Sequence, residues 1–105
     1  MSINQTNIID VISTSPEGIV ILTISDHHSW QETYHHQLLQ DKINGYLQFI
    51  EGGQIYKDYP QALNGDISIR TIMKYEPNIE TLNFLEQCKK IINAAGIGFE
   101  WQTLK

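Results

Sequence analysis

Residues 19–53 read IVILTISDHHSWQETYHHQLLQDKINGYLQFIEGG and combine three patterns in succession. The run from Ile19 to Ile24 is apolar on both faces, which is typical of a central β-strand. After a polar turn, apolar residues recur at three- and four-residue steps as far as Ile50, which predicts a long amphipathic helix. Gly52 and Gly53 suit the left-handed conformation that often ends a helix. This stretch therefore predicts a buried strand followed by a helix with one apolar face.

The start of the helix has a local sequence signal of its own. Ser29 and Glu32 have the spacing of a capping box, in which each side chain hydrogen-bonds a backbone amide of the other residue. We therefore expect Ser29 to be the N-cap, with Trp30 and Tyr34 on the buried stripe of the helix.

The flanking segments predict three more strands and a second helix. Residues 8–12 form a hairpin with the central strand through the turn Ser15-Pro16-Glu17-Gly18. After one further helical turn at 54–59 and a loop at 61–65, we expect a strand at 67–75, a helix from Asn78 to Ala95 with Leu82, Leu85, Cys88, Ile92 and Ala95 on its inner face, and a strand at 97–103. Right-handed crossovers place both helices on one face. The prediction is an α+β two-layer sandwich, β-β-α-β-α-β, with a mixed four-stranded sheet, as one domain over residues 1–105.

Composition and charge exclude several classes of function. The net charge of −5 and the scattered basic residues argue against nucleic-acid binding, which depends on clustered Lys and Arg. The longest apolar run is too short for a membrane helix, and the N-terminus does not resemble a signal peptide. The single cysteine, Cys88, cannot form an internal disulfide, so we expect a cytoplasmic protein.

All four histidines, His27, His28, His35 and His36, lie within ten residues. A metal site would use His28, Glu32 and His36, with Asp26 as a fourth ligand. A site for another ligand would use Asp26, His27, His28, Trp30 and His36. The capping box opposes a metal site, because it leaves His28 outside the helix and out of helical spacing. We favour a structural interpretation, in which Asp26 caps backbone amides of the turn. No nucleophile motif accompanies the histidines, so we assign no catalytic residues, metal or cofactor and expect no enzyme activity.

The acidic surface favours binding to another protein. Tyr56 and Tyr59 lie on a short surface segment, and tyrosines of this kind often anchor interfaces. Carboxylates would complement a basic partner and speed association; the candidates are Glu32, Asp41, Glu51 and Asp58. An immunity or antitoxin-like inhibitor of a basic toxin is the most concrete form of this hypothesis. A homodimer through the last strand, residues 97–104, is a further possibility.

The chain resembles a family of small bacterial proteins of unknown function. The residues that carry the resemblance are Ser25-Asp26-His27, Trp30, a histidine at 35 or 36, Leu39-Gln40, Lys42, Asn44, Tyr46-Leu47, Phe49-Ile50-Glu51, Gly53, Tyr56, Tyr59-Pro60, Ile67-Ser68-Ile69-Arg70 and Ala95-Gly96-Ile97. These are packing and capping residues and include no active-site motif. The resemblance implies a shared fold and a bacterial origin, and it implies no activity.

Overall fold

A computed structural model describes residue 9, residues 11–30 and residues 34–104 of the chain. The elements are β1 (Val11–Thr14), β2 (Val20–Asp26), α1 (His35–Glu51), α2 (Gln54–Asp58), a short 3₁₀ helix (Pro60–Asn64), β3 (Ile67–Met73), α3 (Ile79–Ala94) and β4 (Gly98–Thr103). Within this part of the chain, no helix combines the length and the apolar character needed to cross a membrane.

The four strands form one mixed sheet in the order β1-β2-β3-β4. β1 pairs antiparallel with β2, while β2, β3 and β4 are parallel to one another. The parallel connections require crossovers, and α1 and α3 supply them. The predicted α+β architecture and element order are therefore confirmed, and α2 supplies the extra helical turn expected after α1.

One face of the sheet packs against the two long helices. Side chains alternate along a strand, so Leu22, Ile69 and Phe99, which are paired in register across β2, β3 and β4, all point to this face. They form one core with the inner residues of α1 and α3, namely Leu39, Ile43, Tyr46, Ile50, Leu85 and Ile92. The opposite face is more polar and carries an ion pair between Arg70 Nε and Glu100 Oε1 at 2.6 Å. Both side chains are exposed there, so the pair contributes at most about 1 kcal/mol.

The helix α1 begins at His35, with Tyr34 as its N-cap, and not at Trp30. The prediction of Ser29 as N-cap is therefore wrong. Tyr34 is 74% exposed and does not lie on the buried stripe. The physical reason lies in a tertiary contact, because the Ser29 carbonyl accepts a hydrogen bond from the ring of His35 at 2.9 Å. Glu32, the other member of the expected capping box, lies outside the described residues.

The second long helix begins where the sequence predicts. Asn78 is its N-cap, and the Asn78 side chain accepts a hydrogen bond from the Thr81 amide at 2.8 Å. Of the predicted inner face, Leu85 and Ile92 are buried and Cys88 is half-buried. Leu82 and Ala95 are exposed, and Thr81 is buried in their place. The segment expected to be a loop at 61–65 is largely the 3₁₀ helix that Pro60 begins.

Candidate functional site

The end of β2 and the start of α1 meet in a buried contact between Asp26 and His35. Asp26 is the last residue of β2 and points to the helix side of the sheet, because it follows Leu22 and Ile24 at two-residue steps. His35 is the first residue of α1. Asp26 Oδ2 lies 2.5 Å from His35 Nε2, and both side chains are almost completely shielded from solvent. A charged or polar pair that is buried in this way is stable only if each partner forms hydrogen bonds with the other.

The hydrogen-bond partners of His35 fix where its protons lie. The Nδ1 atom is 2.9 Å from the Ser29 carbonyl, and a carbonyl oxygen only accepts, so Nδ1 carries a proton. The short contact on the other side then requires one further proton between His35 Nε2 and Asp26 Oδ2. Both ring nitrogens are therefore engaged within the protein. In this arrangement His35 has no free lone pair to offer a metal ion.

Trp30 covers this contact from one side. Its ring stacks on the His35 ring with a centroid distance of 3.6 Å and an interplanar angle of 7°. The Trp30 Nε1–H group donates a hydrogen bond to the Tyr75 carbonyl at 3.0 Å. The indole therefore connects the turn after β2 to α1 and to the segment that follows β3. Trp30 is half-buried and packs against the core, so it has a structural role.

The other members of the expected ligand site do not converge on one point. His28 stays near Asp26, since the His28 amide donates to Asp26 Oδ1 at 3.1 Å and its ring lies 5.7 Å from the His35 ring. The His27 side chain is exposed. His36 turns toward α3, where His36 Nε2 lies 2.8 Å from Thr81 Oγ1 and the ring stacks on Phe84. The structure thus groups Asp26, His28 and Trp30, and it adds His35, which the predicted site lacked.

The expected role of Asp26 as a cap for turn amides is confirmed by its bond to the His28 amide. Among the described residues, no three His, Cys, Asp or Glu side chains are placed to hold a metal ion. Glu32, which the metal hypothesis also used, is not described. The arrangement around His35 joins three segments of the chain, and its geometry is that of a structural contact.

The spacing of the apolar residues of α1 already places His35 on the buried face of the helix. His35 precedes Leu39, Ile43 and Tyr46 at steps of four, eight and eleven residues, which is the spacing of the buried face of α1. A histidine on that stripe needs a polar partner inside the protein. Asp26, at the end of β2 on the core side of the sheet, supplies it.

Cys88 lies half-buried on α3, beside a groove of about 240 Å³ between α1 and α3. Burial raises the pKa of the Cys88 thiol above its ordinary value. A raised pKa lowers the thiolate fraction at neutral pH, and the thiolate is the nucleophilic form. The raised pKa therefore favours an inert, structural thiol at Cys88.

The expected partner-binding residues lie on two parts of the surface. Asp41 and Glu51 are exposed on the outer face of α1, whose other exposed residues include Gln40, Asn44 and Gln48. The lysine of this helix, Lys42, is buried and its Nζ lies 5.5 Å from the centre of the Tyr46 ring. The outer face of α1 therefore carries acidic and amide groups, and the positive charge of Lys42 does not lie on it.

The candidate residues in the segment after α1 differ in their solvent exposure and hydrogen bonding. Tyr56 is 37% exposed, whereas Tyr59 is half-buried and its hydroxyl lies 2.6 Å from Thr14 Oγ1 on β1. Asp58 is exposed and accepts from the Gln54 side chain at 3.1 Å. Tyr56 is thus the better placed of the two tyrosines to anchor a partner. Glu32 remains outside the described residues.

Two adjoining clefts lie at the end of the sheet where β3 and β4 begin. Glu51, Tyr56 and Asp66 line one of them, which has a volume of about 340 Å³. Glu17, Leu63 and Asp66 line the other. Among the described residues, none that lines either cleft is basic. We call this surface, formed by Glu17, Glu51, Tyr56, Leu63 and Asp66, the acidic end.

Comparison with known proteins gives one match. The model of a family described as "Family of unknown function (DUF6572)" matches residues 1–105. No curated protein and no solved structure is significantly similar to the chain. The match confirms the expected membership in a family of unknown function, and it brings no activity, ligand or partner with it.

Proposed function

The chain belongs to the DUF6572 family of unknown function, and we propose that it acts by binding another protein that presents a basic surface. The observation that carries this proposal is the acidic end. Three carboxylates from separate loops and a helix end lie there around two clefts without a basic residue among the lining side chains. This arrangement favours a cationic partner over an anionic one.

The acidic end also has apolar side chains that can anchor a partner. Leu63 is 64% exposed and Tyr56 is 37% exposed. Interfaces typically gain most of their affinity from a few such anchors, whereas surrounding charges speed association and select the partner. A basic side chain entering the cleft beside Tyr56 would meet Glu51 and Asp66 on its walls. Both components of a protein-binding surface are thus present on one end of the molecule.

The outer face of α1 extends this acidic surface. Asp41 and Glu51 are exposed along it, and Lys42 is turned into the core. Asp58, two residues after Tyr56 on α2, adds a third carboxylate. Asp41 lies ten residues before Glu51, about 15 Å along the helix axis, so at physiological ionic strength it would act on a partner separately from the acidic end.

The most concrete form of the proposal is an immunity or antitoxin-like protein that inhibits a basic toxin domain. Inhibition would follow from covering a cationic surface that the toxin needs for its own target. We place this activity in a bacterial cytoplasm, where a lone, protonated Cys88 is stable in its reduced form. In this proposal the protein is not an enzyme, and the histidine turn serves the fold.

Affinity capture with matched charge variants tests the proposal. The wild-type protein should retain a basic protein in stoichiometric amount from an extract of its own organism. The double variant Glu51→Lys, Asp66→Lys should weaken this binding by about tenfold or more, because it reverses two charges that face the partner. The control, Glu76→Lys with Glu86→Lys, changes the net charge equally at exposed positions outside the two clefts and should retain the partner.

Two results would contradict the proposal. One is an extract, shown to contain the expressed family member, from which the wild-type protein retains no stoichiometric partner. The other is an equal loss of binding in both double variants, because that would reflect net charge and not the acidic end.

A further inference from the structure

β4 is an edge strand whose outward backbone groups have no strand partner among the described residues. The Leu104 amide donates to the Met73 carbonyl at 2.8 Å. Every second residue counted back from Leu104, namely Gln102, Glu100 and Gly98, therefore also directs its N–H and C=O groups toward β3. The intervening residues, Phe99, Trp101 and Thr103, therefore direct theirs away from the sheet. These three residues form a row of donors and acceptors available to another strand.

The two edges of the sheet differ in how well they are protected. β1 has only four residues and is followed by Pro16 in the turn. Short strands and prolines reduce the ability of an edge to pair with another strand. β4 has six residues, Gly98–Thr103, with neither Lys nor Pro among them and with Glu100 as its one charge. Leu104, which directly follows it, is apolar and 52% exposed. β4 is therefore the edge that is open to pairing.

We propose that β4 pairs with β4 of a second copy of this chain, antiparallel and in one register, with Trp101 opposite Trp101 of the second copy. The pairing forms an eight-stranded sheet with the helices of both copies on the same face. This inference goes beyond the proposed function and uses a different surface, the outer edge of β4.

The hydrogen-bonding groups select this register. Facing residues in an antiparallel pair lie on the same side of the sheet, and those that exchange hydrogen bonds must both direct their backbone outward. With Trp101 on the two-fold axis, Phe99 faces Thr103 of the second copy and Thr103 faces Phe99. All three outward-directed residues of each chain are then paired. Shifting the axis to Glu100 or Gln102 leaves one of the three without a partner.

The side chains on the solvent face agree with the same register. Glu100 faces Gln102 of the second copy, which can donate to the carboxylate, and Leu104 faces Gly98, which leaves room for it. With the axis at Glu100, the two Glu100 carboxylates would oppose each other, and like charges directly opposite are unfavourable. The backbone hydrogen bonds, the Glu100 charges and the fit of Leu104 beside Gly98 thus all favour the register with Trp101 on the axis.

Charge substitutions at position 102 test both the dimer and its register. Gln102→Lys should tighten the dimer, because each lysine faces Glu100 of the other copy, and Gln102→Glu should weaken it. Two symmetry-related pairs change in each case, so we expect the dimer dissociation constant to shift about 2- to 30-fold in opposite directions. Ser13→Lys and Ser13→Glu make the same charge changes at the exposed β1 edge and should leave the constant unchanged.

Sedimentation equilibrium over a wide range of protein concentration gives the dissociation constant, and thermal unfolding at low concentration checks that each variant still folds. Opposite shifts for the two Gln102 variants, with unchanged Ser13 variants, support the proposal. A wild-type protein that stays monomeric up to about 1 mM overturns it. A dimer that responds equally to position 102 and position 13, or to neither, also overturns it, because such a dimer would use another surface.

Discussion

Asp26→Ala is expected to lower the free energy of unfolding by about 3–5 kcal/mol, because it removes one partner of a buried pair and leaves the other unsatisfied. His35 Nε2 would lose its partner inside the protein, and the His28 amide would lose the carboxylate that accepts from it. The loss should appear as a lower midpoint of chemical denaturation, followed by circular dichroism.

Asp26→Asn removes the negative charge of the carboxylate and keeps groups that can form both hydrogen bonds. The asparagine carbonyl can accept from the His28 amide while its NH₂ group donates to Nε2 of a neutral His35. Every polar group then keeps a partner, so we expect less than half the loss caused by alanine. His27→Ala is the matched control, since that side chain is exposed and its removal should change stability by no more than about 0.5 kcal/mol. If Asp26→Ala were as mild as His27→Ala, the buried pair would not stabilise this fold.

The second large effect is expected for Trp30→Ala, at about 2–4 kcal/mol. Large aromatic truncations in a core cost about 3–5 kcal/mol, and Trp30 is only half-buried, so we expect a somewhat smaller loss. The substitution removes the ring stacked on His35 and opens the Asp26–His35 contact to water. Denaturation of the variant at neutral pH measures the loss.

Trp30→Phe keeps an aromatic ring over His35 but removes the donor to the Tyr75 carbonyl together with one ring of the indole. That hydrogen bond is exposed, so water can replace the indole, and we expect a loss of about 1 kcal/mol. Tyr34→Ala, at a neighbouring exposed position, should cost no more than about 0.5 kcal/mol. Equal losses for phenylalanine and alanine at position 30 would show that stacking on His35 contributes little.

Much of the fold follows from local sequence patterns. The apolar run at the centre of β2 predicts a buried strand, and the two-residue alternation along β3 predicts a strand with unlike faces. Asn78 specifies the start of α3 through its own side chain, so a local rule is sufficient there. Once these elements are known, the handedness of crossovers limits the topology to few choices.

The start of α1 shows where local rules are insufficient. Ser29 and Glu32 have the spacing of a capping box, yet the Ser29 carbonyl bonds the His35 ring and the helix begins at His35. A tertiary contact between Asp26 and His35 competes with the local cap, and the sequence pattern gives no measure of its strength. The same contact explains why the polar side chain of His35 is buried.

The acidic end could be predicted only in part. Glu51 and Tyr56 come from the α1–α2 segment, and the sequence identified both as surface groups. Glu17 and Asp66 belong to two other loops, which β2 and β3 bring together by pairing in parallel; the Val20 amide bonds the Asp66 carbonyl. Residues that meet through strand register are distant in sequence, so no local motif reveals them.

We propose that the histidine turn is a structural contact and that the protein acts through its surface. Long-range ¹H–¹⁵N spectra of the histidine rings, recorded without and with added Zn²⁺, test it most directly. We predict a proton on His35 Nδ1, hydrogen bonds at both His35 nitrogens, and no change in the His35 signals when zinc is added. An unprotonated Nδ1, or His35 signals that shift with stoichiometric zinc, would contradict the account and favour a ligand site at this turn.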